Sequence, residues 1–375
     1  MNSDTLPSDG VQVVNADLAM ITNRLGDEFG KMAGDSLLLV GGGGFLGYYL
    51  VQAIGVWNEE HPSEEISMTV YDSWIRGRPD WLHRFEGTDW LDIETFDITT
   101  PLPGSTPGFD WIIHAASIAS PTFYREHPIE TMDANVNGLR NLLEHARRQA
   151  NAGSSPKGFL FFSTSEIYGD PTPDAIPTPE TYRGQVSCTG PRACYDESKR
   201  YGETLSVNFA RVHGLPIKIA RPFNNYGPGL KISDGRVIPD FARNILVGDD
   251  IVMHSSGKPT RTFCYIADAV VGYYKILVRG RSGEPYNIGT DHPEISIADL
   301  ADRMAVIARE ELGYEGQVIH RPSDDADYLV DNPNRRCPDI TKARSELGYD
   351  PRVSLDDGLR RSLLWYRDQE KAEVS

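Results

Sequence analysis

The sequence predicts an α/β fold: a Rossmann-type, doubly wound parallel sheet followed by a smaller C-terminal α/β lobe. Short, almost uninterrupted apolar segments alternate with amphipathic segments from Ser36 onward, as in a parallel sheet covered on both faces. A glycine-rich turn, VGGGGFLG at 40–47, lies between the first strand and the first helix of this alternation. The chain of 375 residues is long enough for one large domain or two closely associated ones.

The individual elements follow in order along the chain. Each predicted strand is short and rich in Val, Ile, Leu or Phe, and each predicted helix repeats apolar residues at three or four positions. The predicted strands cover residues 36–40, 66–72, 109–117, 158–165, 216–222 and 286–289. The predicted helices cover residues 17–32, 45–57, 128–149, 266–280 and 295–310, with a further helix around Tyr195.

This alternation divides the chain into four parts. Residues 1–35 are polar and mixed, and we expect an N-terminal extension whose first fifteen residues form a tail before the fold proper. Residues 36–225 form the predicted Rossmann domain. Residues 226–365 form mainly the smaller lobe, with some segments returning to the Rossmann domain, and 366–375 form a tail. Doubly wound folds bind ligands at the C-terminal edge of the sheet, so we expect the lobe to close on that edge.

The net charge of the chain limits the classes of ligand that it is expected to bind. A formal net charge of −17 argues against a nucleic-acid partner, because such binding relies on basic patches that neutralise phosphates. A small anionic ligand could still bind where arginines gather locally. The candidates lie beside Gly-, Pro- or aromatic-rich motifs and are Arg192, Arg221, Arg236, Arg261 and Arg336.

Targeting and cysteine signals point to a reducing compartment. No apolar run approaches the roughly 20 residues that span a bilayer, and the start MNSDTLPSDG lacks the basic and apolar regions of a signal peptide. We therefore expect a cytoplasmic protein without a membrane partner. The four cysteines have no zinc-like spacing and are too few for a disulfide framework. We interpret them as ordinary thiols and expect no metal.

The glycine-rich turn has the spacing of a dinucleotide site. Gly41, Gly44 and Gly47 form G-x-x-G-x-x-G between a predicted strand and a predicted helix. Glycines permit a tight turn and close approach of a pyrophosphate, and the helix N-terminus supplies N–H donors. The second strand ends at Asp72, whose carboxylate can accept from both ribose hydroxyls and repels a 2′-phosphate. These features predict NAD rather than NADP.

Two later strand ends supply further candidate contacts to the cofactor. Asp97, in FDIT, follows a further short predicted strand between residues 72 and 109, where it can meet the adenine edge; the alternative is a helix N-cap. Ala115, Ala116 and Ser117 end the predicted strand WIIHAAS. Small residues at this position let a backbone pass close to the cofactor.

Tyr195 and Lys199 form a candidate proton-transfer pair. They stand four residues apart in a predicted helix, so they share a face, and the ammonium group can lower the pKa of the phenol. Thr164 lies at the tip of a predicted strand, where its hydroxyl can align a substrate hydroxyl with Tyr195. An isolated Y-x-x-x-K is more often a solvated lysine beside a packed tyrosine. The glycine turn and STSEIYG (163–169) favour a base that acts while a nicotinamide accepts a hydride.

These motifs resemble the extended short-chain dehydrogenase/reductase superfamily, the NAD-dependent epimerases and dehydratases of nucleotide sugars, over residues 36–365. Within it the chain is most similar to the UDP-glucuronate decarboxylases, the UDP-xylose synthases. The motifs that carry the similarity are STSEIYGDP, GPRACYDESKR, FNNYGPG, DGRVIPDF, TRTFCYIADA and RRCPDITKA. The resemblance implies a tightly bound NAD that is recycled in each turnover, a nucleotide-sugar substrate held by the C-terminal third, and a homodimer.

The resemblance also assigns site residues by position. The implied catalytic residues are Thr164, Glu166, Tyr195 and Lys199. Implied cofactor contacts, beyond those named from the glycine turn and the strand ends, are Phe45, Leu46, Ile98, Asn135, Tyr195, Lys199 and Pro222. Implied substrate contacts are Tyr124, Ser165, Asn224, Arg236, Val237, Arg261 and Arg336. Bidentate guanidinium–phosphate contacts explain why Arg suits the diphosphate better than Lys.

The implied reaction oxidises C4 of UDP-glucuronate, releases carbon dioxide from the 4-keto intermediate and reduces the product to UDP-xylose. A 4,6-dehydratase carries an Asp–Glu pair after the Thr, whereas this chain has Ser165 and Glu166. A 4-epimerase usually has a small residue in place of Glu166. Both comparisons favour decarboxylation, with Glu166 positioning the substrate or a water.

Three departures from the decarboxylase pattern touch the sugar pocket. Ile118 and Phe123 replace residues that are usually Pro and Asn, and residues 324–337 extend the loop before Arg336. A 4-epimerase, 4,6-dehydratase or 4-dehydrogenase of another hexuronate or a heptose therefore remains an alternative. A binding or regulatory protein without turnover is disfavoured, because it has no need for Thr164, Tyr195 and Lys199 together.

Overall fold

A computed structural model of the chain describes residues 7–323 and 330–374. The α-helices of those residues are α1 (Gly10–Met32), α2 (Phe45–Glu60), α3 (Pro121–Glu126), α4 (Pro128–Asp133), α5 (Leu139–Asn151), α6 (Ala193–His213), α7 (Val237–Leu246), α8 (Ile266–Arg279), α9 (Ile297–Leu312), α10 (Thr341–Leu347) and α11 (Leu355–Val374). A π-helical turn at 134–138 joins α4 to α5. The helix predicted over 128–149 thus forms with an internal change of pitch.

The strands alternate with these helices in the first half of the chain. They are β1 (Ser36–Val40), β2 (Ser67–Asp72), β3 (Leu91–Thr95), β4 (Trp111–His114), β5 (Gly158–Phe162), β6 (Ile217–Pro222), β7 (Asn225–Tyr226), β8 (Ile251–Met253), β9 (Thr260–Arg261), β10 (Cys264–Tyr265), β11 (Pro285–Ile288), β12 (Ile295–Ser296), β13 (Val318–His320) and β14 (Arg335–Arg336). A seven-stranded sheet has the order β3-β2-β1-β4-β5-β6-β11, with every pair parallel. The order reverses beside β1, which confirms the doubly wound fold.

Burial on both faces of the sheet explains the continuous apolar strands. In β1, Leu37 and Leu39 pack into one buried cluster with α1, α2 and α8. The alternate residues of the strand, Leu38 and Val40, pack into a second cluster with α5 and α6. Because alternate residues face opposite helical layers, neither face of the strand carries polar side chains.

The N-terminal helix corrects one expectation from the sequence. α1 begins at Gly10, seven residues before the predicted start, with the side chain of Asp9 accepting from the Gln12 N–H. Residues 10–15 are therefore helical rather than a tail, and residues 1–6 lie outside the described part. The apolar stripe of α1 packs on α2, α8 and α11. Its buried side chains include Leu18, Ile21, Leu25 and Phe29.

The last helix continues into the segment that the sequence predicts as a C-terminal tail. α11 continues through residues 366–374, and the ring of Tyr366 is 2% exposed. The Asp368 carboxylate accepts from the Gly10 N–H at 2.7 Å, so the two ends of the chain pack together. The sequence does not reveal this contact because it joins residues 358 positions apart in the chain.

The C-terminal segments form small sheets at the edge of the main one. β9 pairs with β14 in parallel, with Arg261 opposite Arg336. β11 returns to the main sheet beside β6, as expected for part of this region. The predicted boundaries at 35, 225 and 365 stay predictions. Among the described residues, none of the helices combines the length and apolar character needed to cross a bilayer.

Candidate active site

A cavity of about 390 Å³ lies at the C-terminal ends of the central strands. Segments after β1, β4, β5 and β6 form its floor, and α6, α7, β9 and β14 supply its walls. It brings together most of the predicted site residues: Gly41, Gly44, Phe45, Leu46, Ala115, Ser117, Tyr124, Thr164, Ser165, Glu166, Tyr195, Lys199, Pro222, Asn224, Arg236, Val237, Arg261 and Arg336. The other predicted residues, Gly47, Asp72, Ala116, Asp97, Ile98 and Asn135, lie outside its lining.

The glycine turn is closed too tightly for any larger residue. Gly41 has φ of +88°, and a Cβ there would lie 2.4 Å from the Ala116 nitrogen. A Cβ on Gly47 would lie 2.0 Å from the Gly42 carbonyl oxygen. Ala116 and Gly47 therefore do not line the cavity, but their small size allows the turn and α2 to pack closely.

Asp72 ties the end of β2 to this turn. Its Oδ2 accepts from the Gly43 N–H at 2.9 Å, and its Oδ1 accepts from the Trp74 N–H at 2.9 Å. Burial raises the pKa of the Asp72 carboxyl. The carboxylate therefore lies beside the turn at the end of β2, where the sequence expects a ribose.

The remaining cofactor candidates lie farther from the cavity. Asp97 is exposed and accepts from the Thr99 N–H at 2.9 Å in a local turn, and no helix of the described residues begins there. Ile98 is buried against Gly138 in the π-helical turn. In the same turn, the Asn135 Nδ2 donates to the Ser198 hydroxyl at 2.9 Å. The cofactor roles of these three residues stay predictions.

Tyr195 and Lys199 lie one turn apart on α6, and both are buried. The Lys199 Nζ donates to the Phe162 carbonyl at 2.8 Å and lies 5.8 Å from the centroid of the Tyr195 ring. Burial lowers the pKa of Lys199 to about 7. Burial raises the pKa of Tyr195 to about 12, and a hydrogen bond with Thr164 opposes the rise. Burial outweighs the groups that lower the pKa of this phenol, so the expected net lowering is not found.

Thr164 and Glu166 follow β5 at the floor of the cavity. The Thr164 hydroxyl caps a short 3₁₀ turn by accepting from the Glu166 N–H at 3.2 Å. The Glu166 carboxylate forms ion pairs with Arg192 and Arg336. Burial raises the pKa of this carboxyl, but the two guanidinium groups outweigh burial and hold the pKa below its ordinary value. Glu166 is thus held as a carboxylate.

The cavity wall is rich in guanidinium groups. Arg336 also donates to the Ser165 hydroxyl at 3.0 Å, and Arg236 donates to the Ala119 carbonyl at 3.1 Å. Arg261 donates to the Pro333 carbonyl at 2.6 Å; burial and then the neighbouring Arg336 lower its pKa to about 10. Such a concentration of positive charge in an acidic protein suits an anionic ligand.

Two of the substrate candidates have backbone roles as well. Asn224 has φ of +43°, and its Nδ2 donates to the Thr262 carbonyl at 2.8 Å, which joins β6 to the segment after β9. Val237 begins α7 at the cavity wall. Arg221, by contrast, does not line the cavity: it pairs with Glu203 at 2.6 Å and supports the protein interior. Its interpretation as an anion-binding candidate is therefore wrong.

Several residues that line the cavity carry no clear signal in the sequence. Arg125, Phe263 and Asn332 line the cavity, and Arg125 adds a further cation to the wall. Only the adjacency of Arg125 to Tyr124 could have indicated it. Val330, Asn332 and Pro333 of the extended loop line the cavity, whereas 324–329 lie outside the described residues.

Comparison with known proteins decides the family. The model of the NAD dependent epimerase/dehydratase family matches residues 37–289. The chain belongs to this family. The match covers the glycine turn, the β5 end and α6, and it confirms the resemblance inferred from the motifs. Members of the family are NAD dependent, so NAD is the cofactor.

Relatives of this epimerase/dehydratase family member cover most of its length. It is 37% identical over 323 residues to UDP-glucuronic acid decarboxylase 5 of Arabidopsis thaliana, covering 86% of each chain. It is 34% identical to UDP-glucuronic acid decarboxylase 1 of Xenopus tropicalis, covering 89% of this chain and 72% of the relative. A dTDP-glucose 4,6-dehydratase of Streptomyces venezuelae, solved with NAD, is 27% identical with a TM-score of 0.74, covering 90% and 98%.

The residues of this epimerase/dehydratase family member fit an NAD molecule. The cradle at Gly41 and Gly47 leaves no room for side chains, and the Ser117 hydroxyl is buried without a hydrogen-bond partner among the described residues. Phe45 and Leu46 begin α2 beside the turn, and Pro222 ends β6 across the cavity. When bound, NAD accepts a hydride from a substrate carbon and can return it.

Proposed function

We propose that this chain is an NAD-dependent UDP-glucuronate decarboxylase that forms UDP-xylose. The observation that carries the proposal is Glu166, which follows Ser165 rather than an acid and is held charged by Arg192 and Arg336 beside Tyr195. The Arabidopsis and Xenopus relatives, which carry this activity in their names, support it.

Oxidation at C4 is the first task of the site. Tyr195 takes the proton of the C4 hydroxyl, and Thr164 orients that hydroxyl from the end of β5. The site must then lower the pKa of Tyr195 from about 12. A protonated Lys199 and the positive nicotinamide ring both favour the phenolate. The hydrogen bond to the Phe162 carbonyl holds Lys199 near Tyr195, where a protonated Lys199 can lower the pKa of the phenol.

Decarboxylation follows from the ketone. The C5–C6 bond breaks, its electron pair passes into the C4 carbonyl to form an enolate, and carbon dioxide leaves. Tyr195, now protonated, donates a hydrogen bond to the enolate oxygen. A proton from solvent then adds to C5, and Tyr195 gives its own proton back to the C4 oxygen as C4 is reduced. Glu166 positions the substrate or a water at this stage. At the end of the cycle the protein residues have the same protonation states as at the start.

The arginines bind the remainder of the substrate. Arg261 and Arg336 lie side by side across the β9–β14 pair, where their guanidinium groups suit the diphosphate. Arg236 and Val237, at the start of α7, form the wall for the nucleotide base. Tyr124 and Asn224 complete the enclosure around the sugar.

The test is incubation of the purified protein with UDP-glucuronate and NAD. We expect release of carbon dioxide and a UDP-pentose, identified as UDP-xylose by NMR, with no net NADH. UDP-glucose and UDP-galactose are the matched substrates without a carboxylate. If UDP-glucuronate yields no carbon dioxide while another nucleotide sugar is epimerised, dehydrated or oxidised, the decarboxylase proposal is wrong.

We also propose that the protein is a cytoplasmic homodimer. Tyr201 and Val212 are exposed apolar side chains eleven residues apart, so they lie on one face of α6 and are available for a second copy. Light scattering at micromolar concentration tests the dimer: the expected mass is twice 41.7 kDa. A mass of one chain contradicts it. Fluorescent tagging in the native host tests the compartment.

A further inference from the structure

Asp196 is a buried carboxylate that the proposed reaction does not use. It follows Tyr195 on α6 and is 4% exposed, yet it does not line the cavity. Its Oδ2 lies 3.7 Å from the Arg192 Nε. Its Oδ1 is buried without a hydrogen-bond partner among the described residues. A buried carboxylate with so few partners is costly, which calls for a functional reason.

Arg192 links Asp196 to the cavity. The guanidinium lies between two carboxylates: Nη2 donates to Glu166 on the cavity side, and Nε faces Asp196 on the helix side. The guanidinium carbon also lies 6.0 Å above the Tyr124 ring. Arg192 is therefore a cavity-lining cation whose charge is shared by two protein anions.

The chemistry of carbon dioxide loss makes this sharing important. An arginine that pairs with the substrate carboxylate stabilises the charged ground state more than the transition state, where that charge passes to the C4 oxygen. Such a pair lowers KM and kcat together. An active site for decarboxylation therefore benefits when a nearby guanidinium is kept occupied by protein carboxylates.

We propose that Asp196 is a positioning residue that anchors Arg192 on the helix side of Glu166, and so keeps this guanidinium from binding the substrate carboxylate. This inference rests on the proposed function. Glu166 accepts a hydrogen bond from one end of the guanidinium. Asp196 is the anion beside the Nε, which has no hydrogen-bond partner among the described residues. Without Asp196, the Nε edge of Arg192 is free to turn towards the sugar.

The anchor is sensitive to pH. The charged groups that face Asp196 come from its own helix, the β5 end, the 330–334 segment and β14, and they are Arg192, Glu166, Asp331 and Arg336. Tyr124, Cys194 and Tyr195 also lie close to it. Burial and then the charge of Glu166 raise the pKa of Asp196 to about 7. Asp196 loses its charge as the pH falls through this value, so kcat is expected to fall with it.

Asp196→Asn tests the inference in the full-length protein with NAD bound. We expect kcat for UDP-glucuronate to fall roughly tenfold and KM to fall with it, while the Kd of UDP, which lacks the carboxylate, stays unchanged. Asp196→Glu should restore most of kcat. The kcat of wild type should rise with pH through about 7, and that rise should be absent in Asp196→Asn.

Glu197→Gln is the matched control. It removes the same charge from the next residue of α6, whose side chain is 38% exposed and pairs with Arg200, and its kinetics should match wild type. If Asp196→Asn raises KM, loses NAD or keeps the same pH profile, Asp196 has only a structural role and the inference is overturned. If wild type itself releases no carbon dioxide, the proposed function fails first.

Discussion

The ring of Tyr124 stacks on the ring of Tyr195, with centroids 5.1 Å apart and planes 10° from parallel. Tyr124 comes from α3 and Tyr195 from α6, so the stack joins two walls of the cavity. The Tyr124 hydroxyl is buried without a hydrogen-bond partner among the described residues. The stack fixes the plane of the proposed catalytic phenol and leaves a second phenol facing the substrate.

Substitution of Tyr124 should separate these two contributions. Tyr124→Phe keeps the stack and loses the hydroxyl, so KM for UDP-glucuronate should rise while kcat changes little. Tyr124→Ala also removes an aromatic pair worth about 0.5–1.5 kcal/mol, so kcat should fall further. Steady-state kinetics of both variants check this. Equal kinetics for the two variants would show that the stack does not orient Tyr195.

Tyr195→Phe should abolish turnover and retain NAD. The change removes the proton acceptor, and general acid–base catalysis contributes about 10²–10⁴-fold. The phenyl ring still stacks on Tyr124, so the melting temperature should stay close to that of wild type. Carbon dioxide release and the NAD content of the purified variant are the measurements. Near-wild-type activity contradicts the role proposed for Tyr195.

Gly41→Ala should destroy cofactor binding. Its Cβ would lie 2.4 Å from the Ala116 nitrogen at a φ of +88°, so the backbone must shift where NAD approaches. Gly26→Ala is the matched control, because Gly26 is an exposed residue of α1 with nothing within 4 Å of the added carbon. That change should stabilise the helix by about 0.5–1 kcal/mol. NAD content and thermal unfolding distinguish the two; retained NAD in Gly41→Ala contradicts the assignment.

The free energy of unfolding should depend on pH through Asp17, a residue of α1 that packs against the rest of the fold. This fully buried carboxylate accepts from Tyr49 at 2.5 Å and Tyr265 at 2.6 Å and pairs with Arg361. Burial raises its pKa from 3.8 to about 6. The folded state therefore holds the proton more tightly than the unfolded state, so this contribution is complete below pH about 4 and is lost as the pH rises through about 6.

The Asp17→Asn variant should not show this loss of stability as the pH rises. The free energy of unfolding of wild type, relative to the variant, should fall by about 2 kcal/mol between pH 4 and 6. Urea unfolding at both pH values measures it. Asp27→Asn changes an exposed carboxylate of the same helix, 86% exposed, and serves as control. A constant difference between wild type and Asp17→Asn across this range contradicts the burial argument.

Local patterns were sufficient for the sheet and for the cofactor turn. Strands β1, β4, β5 and β6 are apolar because both faces are buried, and this leaves a clear signal in the sequence. Strand β3 has the sequence LDIET and is mostly exposed, so it lacks that signal. Gly41, Gly44 and Gly47 were recognisable because a tight turn permits only glycine. The spacing of Tyr195 and Lys199 was equally local, since one helical turn sets it.

The sequence by itself determined the doubly wound fold, the family, the cofactor and about half of the cavity-lining residues. Only the tertiary structure decided that α1 and α11 complete the core, that Arg221 serves the interior, and that Arg192 lies between Glu166 and Asp196. In the structure, burial raises the pKa of Tyr195, whereas the sequence predicted a lowering by Lys199. The reason is the same in each case: burial and ion pairing depend on distances between segments far apart in the chain, which no local periodicity records.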